Sequence, residues 1–400
     1  MRSGSSGGKT SVVREVFTTF LRLGSTSFGG PIAHLAYFRR TFVEERRWLD
    51  EATFVRIVAF CSVLPGPTSS QVGMLIGLTR GGALGAFLAW LGFTAPSAIL
   101  MTAFAAALGG AERHAVPVWF AGLLAGLFAA AAAVVAQAVV GLAGSLCTDL
   151  PTKLIAVAAL FVTLALRPYP GLQWASIALG AFAGALLLHA PGLRADALPI
   201  RVSRRFALAA ACVFVALVAA TALPKTPAIA FLATLIRAGS LVFGGGHVVL
   251  PLLQSMVHDG LITAQNFFAG YGAVQAMPGP LNTFSAFLGY ANVSPLHGLA
   301  GALVAIVLIF LPSFALIFAL APVWNRVAGE PRAAGAVRGA NAAVVGLLGG
   351  VLYDPVLLSL GTSPVRIAIA LAAFAAIAAW RVAPWIVVLA AAALGAALGA

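Results

Sequence analysis

The chain has 400 residues, of which 61% are hydrophobic and only 9% are charged, and its formal net charge is +13. Soluble domains carry roughly 25% charged residues, so this composition excludes a water-exposed protein and predicts a polytopic membrane protein in a lipid bilayer. The basic residues are scattered thinly between apolar runs, which excludes a nucleic-acid-binding face and fits anchoring by cytoplasmic loops.

Residues 1–13 contain no apolar run ahead of a small-residue cleavage site, so we expect a disordered cytoplasmic tail and no signal peptide. Uninterrupted apolar runs long enough to span a bilayer follow in both halves of the chain. They predict helices and not strands, because Ala, Leu and Gly dominate and period-two alternation is missing. The nine runs lie near 82–108, 116–144, 151–167, 171–190, 206–223, 298–322, 336–353, 364–381 and 383–400.

Four further apolar segments are interrupted by glycine and proline. They lie near 14–42, 54–79, 228–256 and 267–292. The predicted fold class is therefore all-α, a polytopic membrane protein with either nine full spans and four re-entrant segments or thirteen spans. Both counts leave an odd number of crossings in the first half, so the two halves enter the membrane in opposite directions.

The predicted domains are an N-terminal transporter repeat over 14–223 and an inverted C-terminal transporter repeat over 224–400. The loop 39–56 decides between the two span counts, because it carries five arginines. Arginine is retained on the cytoplasmic side, so this loop favours re-entrant segments at 14–42 and 54–79 over full spans.

The same helix breakers occur once in each half. FLRLGSTSFGG at 20–30 matches LIRAGSLVFGG at 235–245, and a Pro-Gly-Pro element and a Pro-Ser pair follow each copy. Repeated breaks at corresponding places in two apolar halves predict the binding site of a transporter. The Pro-Gly-Pro residues are Pro65, Gly66 and Pro67 in the first half and Pro278, Gly279 and Pro280 in the second.

Each Pro-Gly-Pro element is predicted to end one helix and begin another. The first turn of the new helix carries free amide N–H groups, a positive dipole end and side-chain donors, which together predict an anion site. A packing kink is the alternative for a single copy, whereas two copies in register favour a site. The donor side chains are Thr68, Ser69 and Gln71 in the first half and Asn282 and Thr283 in the second.

The Phe-Gly-Gly elements are the second candidate part of the site. Adjacent glycines let the main chain approach a ligand and form an anion-binding nest, although tight helix packing is an alternative explanation. The glycines are Gly29 and Gly30 in the first copy and Gly244, Gly245 and Gly246 in the second.

Two matched arginines precede these glycines within apolar segments, Arg22 and Arg237. No carboxylate lies at a matching depth, so the pattern predicts that a ligand brings the negative charge, with snorkelling to the interface as the alternative. His34 and His247 flank the glycines, where a packing role is more common than a role in proton coupling.

Catalytic and cofactor chemistry is not expected. Cys61, Cys147 and Cys212 lie in or beside apolar runs and form neither a disulfide framework nor a metal pattern. A membrane-embedded enzyme such as a lipid-phosphate transferase would need clustered carboxylates or a nucleophile with a base, and none is evident. We therefore predict no cofactor, no metal site and no enzymatic activity.

The longer motifs resemble a known family. LRLGSTSFGGPIAHL, RRWLDEATF, LPGPTSSQVGMLIGL and WLGFTAPS resemble the amino-terminal domain of the chromate transporter family. FGGGHVVLPLL, FFAGYGAVQAMPGP and FLPSF resemble its carboxy-terminal domain. The resemblance covers nearly the whole chain and implies the two-domain, long-chain form. The family's characteristic positions here are Arg22, Gly29, Gly30, Pro65, Gly66, Pro67, Gln71, Gly244, Gly245, Gly246, His247, Pro278, Gly279 and Pro280.

The resemblance implies a multi-pass transporter of the bacterial inner membrane that exports chromate from the cytoplasm and confers resistance, with sulfate as competitor. We expect a cytoplasmic N-terminus and one midplane site where the half-helices beginning at Pro67 and Pro280 approach each other. One repeat would rock against the other to give alternating access. An uptake carrier or channel for sulfate or another oxyanion is the alternative function, and a homodimer is left open.

Overall fold

The computed structural model describes residues 6–112, 117–165, 172–188, 202–222, 226–242, 249–324 and 330–399. Its regular elements are helices, with no strand in these ranges, so the prediction of an all-α polytopic fold is confirmed. The first half contains α1 (Ser6–Thr26), α2 (Gly30–Arg39), α3 (Glu51–Val63), α4 (Thr68–Glu112), α5 (Val118–Leu146), α6 (Leu150–Ala165), α7 (Leu172–Leu187) and α8 (Arg204–Ala220).

The described part of the second half is also helical. It contains α9 (Pro227–Leu241), α10 (Val249–Leu253), α11 (Ser255–His258), α12 (Ala264–Gln275), α13 (Phe284–Ala291), α14 (Gly298–Leu320), α15 (Pro331–Val351), α16 (Pro364–Ala378) and α17 (Pro384–Leu398). Short π-helical or 3₁₀ turns extend several of these helices, at Arg40–Glu45, Leu281–Thr283, Ala321–Val323 and Leu352–Leu357.

The nine predicted spans coincide with the second part of α4 and with α5 to α8 and α14 to α17. By length and composition alone, four helical segments of the described chain are long and apolar enough to cross a membrane. They are Thr68–Gly110, Val118–Leu146, Gly298–Val323 and Pro331–Asp354. The other predicted spans are shorter; α6 and α7 have 16 residues each. At 1.5 Å per residue, such a helix is about 24 Å long.

Helix α4 consists of two helices joined at a glycine pair. Gly81 and Gly82 have non-helical dihedral angles, and φ of Gly82 is +64°. In the second half the corresponding junction is a loop that ends at Gly298, where φ is +65°. Each Pro-Gly-Pro element is therefore followed by a short helix, a glycine turn and a long helix, because glycine accepts positive φ without steric cost.

The first interrupted segment, 14–42, folds into a hairpin of α1 and α2. The Phe20 ring contacts the rings of Phe38 and Phe42, with centroids 5.7 and 5.0 Å apart. Glu15 on α1 binds Arg46, just beyond the hairpin's second arm, with an O–N distance of 3.0 Å. A full span would separate these two ends by the thickness of the bilayer, so the contact favours a re-entrant hairpin.

The second segment, 54–79, is also a hairpin, formed by α3 and the first part of α4. Its ends carry Glu51, which accepts from Arg39 at 2.9 Å, and Arg80, which reaches Glu15 at 3.4 Å. The Arg80 guanidinium also lies 5.3 Å from the ring centre of Trp48. All four hairpin ends thus meet in one charged layer, which we define as Glu15, Arg39, Arg46, Trp48, Glu51 and Arg80.

The two halves of the sequence interlock in the fold. Helix α5 of the first half packs against α16 and α17 of the second, and α15 packs against α6 and α7. Facing glycines allow this close approach, which is common between membrane helices. Gly122 faces Gly395, and Gly180 faces Gly339. The predicted domain boundary between residues 223 and 224 is therefore a boundary in the sequence only. The packed layers of the fold contain helices from both halves.

We expect Gly339→Val to lower thermal stability strongly. A Cβ atom at this position would overlap the carbonyl oxygen of Gly180 and the main chain of Gly184. Overpacking of this kind costs about 1–3 kcal/mol. Gly349→Val on the same helix is the matched control, because the nearest atom there is the Leu160 Cδ1 at 3.5 Å. Size-exclusion chromatography of heated, detergent-solubilised protein measures the difference, and equal melting of both variants would contradict the interlocked packing.

Candidate functional site

Two main-chain hydrogen bonds join the breaks of one half to those of the other. The amide of Gly66 donates to the carbonyl of Val242 at 2.6 Å, and the amide of Gly279 donates to the carbonyl of Ser27 at 2.8 Å. Ser27 and Val242 are equivalent residues, each directly before a Phe-Gly-Gly element. Each Pro-Gly-Pro break therefore contacts the residue that follows the first helix of the opposite half, α9 for Gly66 and α1 for Gly279.

The Pro-Ser pairs make a second set of contacts between the halves. The Ser97 Oγ lies 2.7 Å from the Thr283 Oγ1, and the Gln71 Nε2 lies 3.4 Å from the Ser313 Oγ. Pro96 and Pro312 are inside the long helices that carry these serines. The half-helix of each repeat is thus held by the long helix of the other, in equivalent positions.

The glycine of each Pro-Gly-Pro element has a backbone conformation that other residues rarely adopt. The φ angle is +127° at Gly66 and +90° at Gly279. A Cβ atom at Gly66 would overlap the side-chain amide of Gln71 and the hydroxyl of Ser313. These elements require glycine both for the positive φ and for the close approach of neighbouring polar groups.

Buried polar side chains occupy the first turns after both breaks. Ser69, Ser70 and Gln71 are at most 3% exposed, and Asn282, Thr283 and Ser285 are at most 1% exposed. Some are satisfied locally: the Gln71 Nε2 donates to the Pro65 carbonyl at 2.8 Å, and the Thr283 Oγ1 donates to the Pro280 carbonyl at 2.8 Å. The Ser69 Oγ lies 3.2 Å from the Nδ1 of buried His34.

Several donors of this region have no hydrogen-bond partner in the described part of the chain. They are the Ser27 Oγ, Ser70 Oγ, Asn282 Nδ2 and Ser285 Oγ. A buried donor left unsatisfied costs about 1–3 kcal/mol, and such groups in native proteins normally have a partner. A ligand with several acceptor oxygens would satisfy such donors, whereas the Gln71 Oε1, which also has no partner in the described residues, is an acceptor.

Comparison with known proteins assigns the chain to a family. The family model described as chromate transporter matches residues 14–188 and 229–396. The chain belongs to the chromate transporter family. The two matched regions each contain one Phe-Gly-Gly and one Pro-Gly-Pro element, so the contacts described above join the corresponding parts of both regions of this transporter.

Named relatives cover most of the transporter. It is 29% identical over 345 residues to a chromate transport protein of Pseudomonas aeruginosa, covering 85% of this chain and 80% of the relative. It is 28% identical over 349 residues to a probable chromate transport protein of Synechococcus elongatus, covering 85% and 84%. An uncharacterized transporter of Methanocaldococcus jannaschii is 26% identical over 324 residues, covering 78% and 76%. No solved structure matches the transporter.

In the structure, each Pro-Gly-Pro element is followed directly by the predicted donors and contacts a residue of the opposite half. Thr68 begins the first half-helix directly after Pro67, and a 3₁₀ turn at Leu281–Thr283 begins the second directly after Pro280. Gly29 and Gly30 have φ of +101° and +78° at the hairpin turn before α2. The predicted site residues Gly244, Gly245, Gly246 and His247 lie outside the described residues.

The two predicted arginines lie elsewhere in this transporter. Arg22 is on an exposed face of α1. Arg237 on α9 is half-buried, and its guanidinium donates to the carbonyl of Thr221 at the end of α8. The sequence pattern indicated that both arginines lie within apolar segments. It did not indicate the face of the helix on which each arginine lies. Their assignment to the bound anion stays a prediction without support from this geometry.

Sequence reasoning missed the role of two parts of the site. Ser97 and Ser313 were visible as repeated Pro-Ser pairs, but their contacts with the opposite half-helix depend on the interlocked packing. The carbonyls of Ser27 and Val242 carry no side-chain signal at all. The repetition of these residues at equivalent places was the only indication available in the sequence.

Proposed function

We propose that this protein is a secondary transporter that exports chromate from the bacterial cytoplasm across the inner membrane and thereby confers resistance. The observation that carries the proposal is the pair of half-helix beginnings with buried donors, one after each Pro-Gly-Pro break. Membership of the chromate transporter family and the names of its relatives support chromate as the substrate.

The proposed site suits a tetrahedral dianion. A helix N-terminus carries roughly half a positive charge and free amide N–H groups, so two such ends offset about half of the charge of chromate or sulfate. The hydroxyl of Ser70 and the amide of Asn282 add donors for the ligand oxygens. Neutral donors also favour release, because transport requires binding that is weak enough to be reversed.

The proposed orientation places the charged layer and the N-terminus in the cytoplasm, since this layer and its loop are rich in arginine. With re-entrant hairpins, counting the later helices puts the beginnings of α6 and α15 on the same side. Asp149, just before α6, pairs with Arg338 on α15, which agrees with that count. The same count gives five crossings in the first half, so the two repeats are proposed to be inverted.

Alternating access would then move a core of hairpins and long helices against the interlocked layer of α5 to α7 and α15 to α17. This assignment replaces a rocking of one sequence half against the other, because α5 and α15 each pack on helices of the opposite half. The membrane potential favours outward movement of a dianion from a cell that is negative inside, by about 2.3 kcal/mol per charge per 100 mV.

Purified protein in liposomes tests the proposal. A potassium gradient with valinomycin sets the potential, and labelled chromate in the lumen reports transport. We expect chromate movement that follows the potential and is competed by sulfate. Absence of potential-dependent chromate movement, in protein that is correctly inserted, would contradict the proposal.

Uptake of sulfate or another oxyanion is the second candidate function. The donor set would recognise tetrahedral oxygens and a dianionic charge, which chromate and sulfate share. The same site is therefore compatible with export of chromate and with uptake of sulfate. Cells that express the protein distinguish the two. Export lowers cellular chromate in sulfate-replete medium, whereas an uptake carrier raises it and supports growth on limiting sulfate.

A further inference from the structure

The equivalent helices α1 and α9 differ sharply in their exposure. On α1, the side chains of Thr18, Arg22, Ser25 and Thr26 are exposed, and the face ends at the exposed Gly29. The corresponding residues of α9 are Ala233, Arg237, Ser240 and Leu241, which are buried or half-buried. Ser240, the counterpart of exposed Ser25, is only 1% exposed. The two hairpin helices therefore have the same sequence pattern in two different environments.

The exposed face of α1 is polar except for Leu21 at its edge, which is 37% exposed. Its hydroxyl groups and arginine recur at intervals of three and four residues, which places them on one side of the helix. A lipid-facing helix of the same protein differs: α8 exposes Phe206, Leu208 and Val215. Polar side chains inside a membrane protein usually line a water-filled cavity or contact a partner.

The polar face of α1 extends well below the membrane surface. Arg22 lies seven residues beyond Glu15 of the charged layer, so its backbone is about 10 Å deeper, and Thr26 is about 16 Å deeper. Thr26 is thus close to the middle of a hydrocarbon core about 30 Å thick. Gly29, at the end of the face, adjoins the break where Ser27 accepts from Gly279.

We propose that the Thr18–Arg22–Ser25–Thr26 face lines an aqueous entrance from the charged layer to the anion site. This inference rests on the proposed function. Arg22 attracts the oxyanion into the entrance without belonging to the site itself. The equivalent face of α9 with Arg237 and Ser240 lines the exit on the opposite side, which is closed in this structure.

The contacts of α9 are consistent with a closed exit. The Arg237 guanidinium donates to the carbonyl of Thr221, and the Ser240 hydroxyl donates to the carbonyl of Ile236 at 2.7 Å. On α1 the Ser25 hydroxyl makes the same bond, to the carbonyl of Leu21 at 2.9 Å, but stays exposed. Transport would exchange the two environments, so that Arg22 is covered when Arg237 becomes exposed.

Thiol labelling tests the entrance. In a variant with Cys61, Cys147 and Cys212 replaced by alanine, Thr26→Cys, Ser240→Cys and Val215→Cys are made singly. A charged, membrane-impermeant maleimide is applied to inside-out vesicles, which expose the cytoplasmic face. We expect rapid labelling of Thr26→Cys, slowed by sulfate, and slow labelling of Ser240→Cys and of the lipid-facing Val215→Cys control.

Two labelling results would overturn the inference. If Thr26→Cys reacts as slowly as Val215→Cys, the face is not in contact with water. If Ser240→Cys reacts from this side as fast as Thr26→Cys, the two helices do not differ in access. The order of labelling rates among the three variants, measured without sulfate, does not depend on which anion is carried, so it can succeed even where chromate and sulfate transport both fail, and only the slowing by sulfate tests the link to the anion site.

Kinetics test the role of Arg22 separately. Arg22→Ala is expected to raise KM for chromate by roughly three- to tenfold at low ionic strength, with kcat nearly unchanged, because an exposed charge acts on the encounter rate. Salt should remove the difference by screening, and Arg22→Lys should restore the KM. An unchanged KM, or a loss of kcat at saturating chromate, would overturn the assignment of Arg22 to the entrance.

Discussion

Gly66→Ala is expected to stop chromate transport while the protein still reaches the membrane. The added Cβ would overlap the Gln71 amide and the Ser313 hydroxyl, and φ at this position is +127°. Relief of the overlap displaces the Gln71 amide and the Ser313 hydroxyl, which removes the hydrogen bond of the Gln71 Nε2 to the Pro65 carbonyl and its contact with Ser313. Alanine is also strained at this positive φ, and the strain falls on the residue whose amide donates to the Val242 carbonyl. The change therefore acts on the donors that we assign to the anion.

Two control variants separate this effect from general strain. Gly82→Ala also places alanine at positive φ, +64°, but no atom lies within 4 Å of the new Cβ. It carries a backbone cost of about 1–2 kcal/mol without the overlap, and we expect transport to persist. Pro67→Ala should also be mild, because a helix can begin without proline.

The equivalent change in the second half, Gly279→Ala, is expected to be less severe than Gly66→Ala. Its Cβ would lie 3.2–3.3 Å from the Phe93 and Gly24 carbonyls and the Ser97 Cβ, which is tight but short of overlap. Initial chromate rates in vesicles, normalised to membrane protein by immunoblot, give the comparison. A wild-type rate for Gly66→Ala, or an equal loss in Gly82→Ala, would contradict the assignment.

Fold class and helix positions could be predicted because lipid requires long apolar helices. All nine uninterrupted apolar runs form helices in the structure, as their charge-poor composition predicted. The hairpins were favoured by the arginines of the 39–56 loop, and the pairing of Glu15 with Arg46 supports that choice. Here one local rule, the retention of arginine in the cytoplasm, favoured the same hairpins that the contacts favour.

Helix partners could not be predicted. Small-residue spacings that permit close packing are present in the sequence, with Gly122 and Gly126 on α5 and Gly335 and Gly339 on α15. Such a spacing indicates that a helix has a close neighbour but does not identify the neighbour. That α5 meets α17, and α15 meets α7, follows only from the three-dimensional arrangement.

The arginines illustrate the same limit within the candidate site. Both occur in apolar segments at matched positions, which suggested a common role at the anion. The hydrophobic pattern of α1 did not distinguish its exposed face from its buried one, so Arg22 could not be assigned to an entrance from sequence alone. The donors without partners, such as those of Ser70 and Asn282, were visible as residue types but not as unsatisfied groups.

Asn282→Asp is expected to lower chromate transport by about one hundredfold at neutral pH, because it replaces a buried donor by an acceptor of the same shape and adds a negative charge. The side chain is 1% exposed, and its Nδ2 has no partner in the described part of the chain. The loss should shrink as the pH is lowered, since a protonated carboxyl is neutral and again offers a donor. Ser70→Ala removes one neutral donor only and should have a smaller effect.

The matched control for this change is Asn341→Asp on α15, the helix that packs against α6 and α7. It introduces the same carboxyl group at a half-buried position of a helix that follows neither Pro-Gly-Pro element, so we expect it to reduce stability more than the apparent affinity for chromate. Transport by both variants is measured in liposomes between pH 5 and pH 8, together with their melting in detergent. If Asn282→Asp carries chromate with an unchanged KM, the half-helix that follows Pro280 does not bind the anion. If both variants lose transport and stability alike, burial of a charge explains the loss, and the donor role of Asn282 is contradicted.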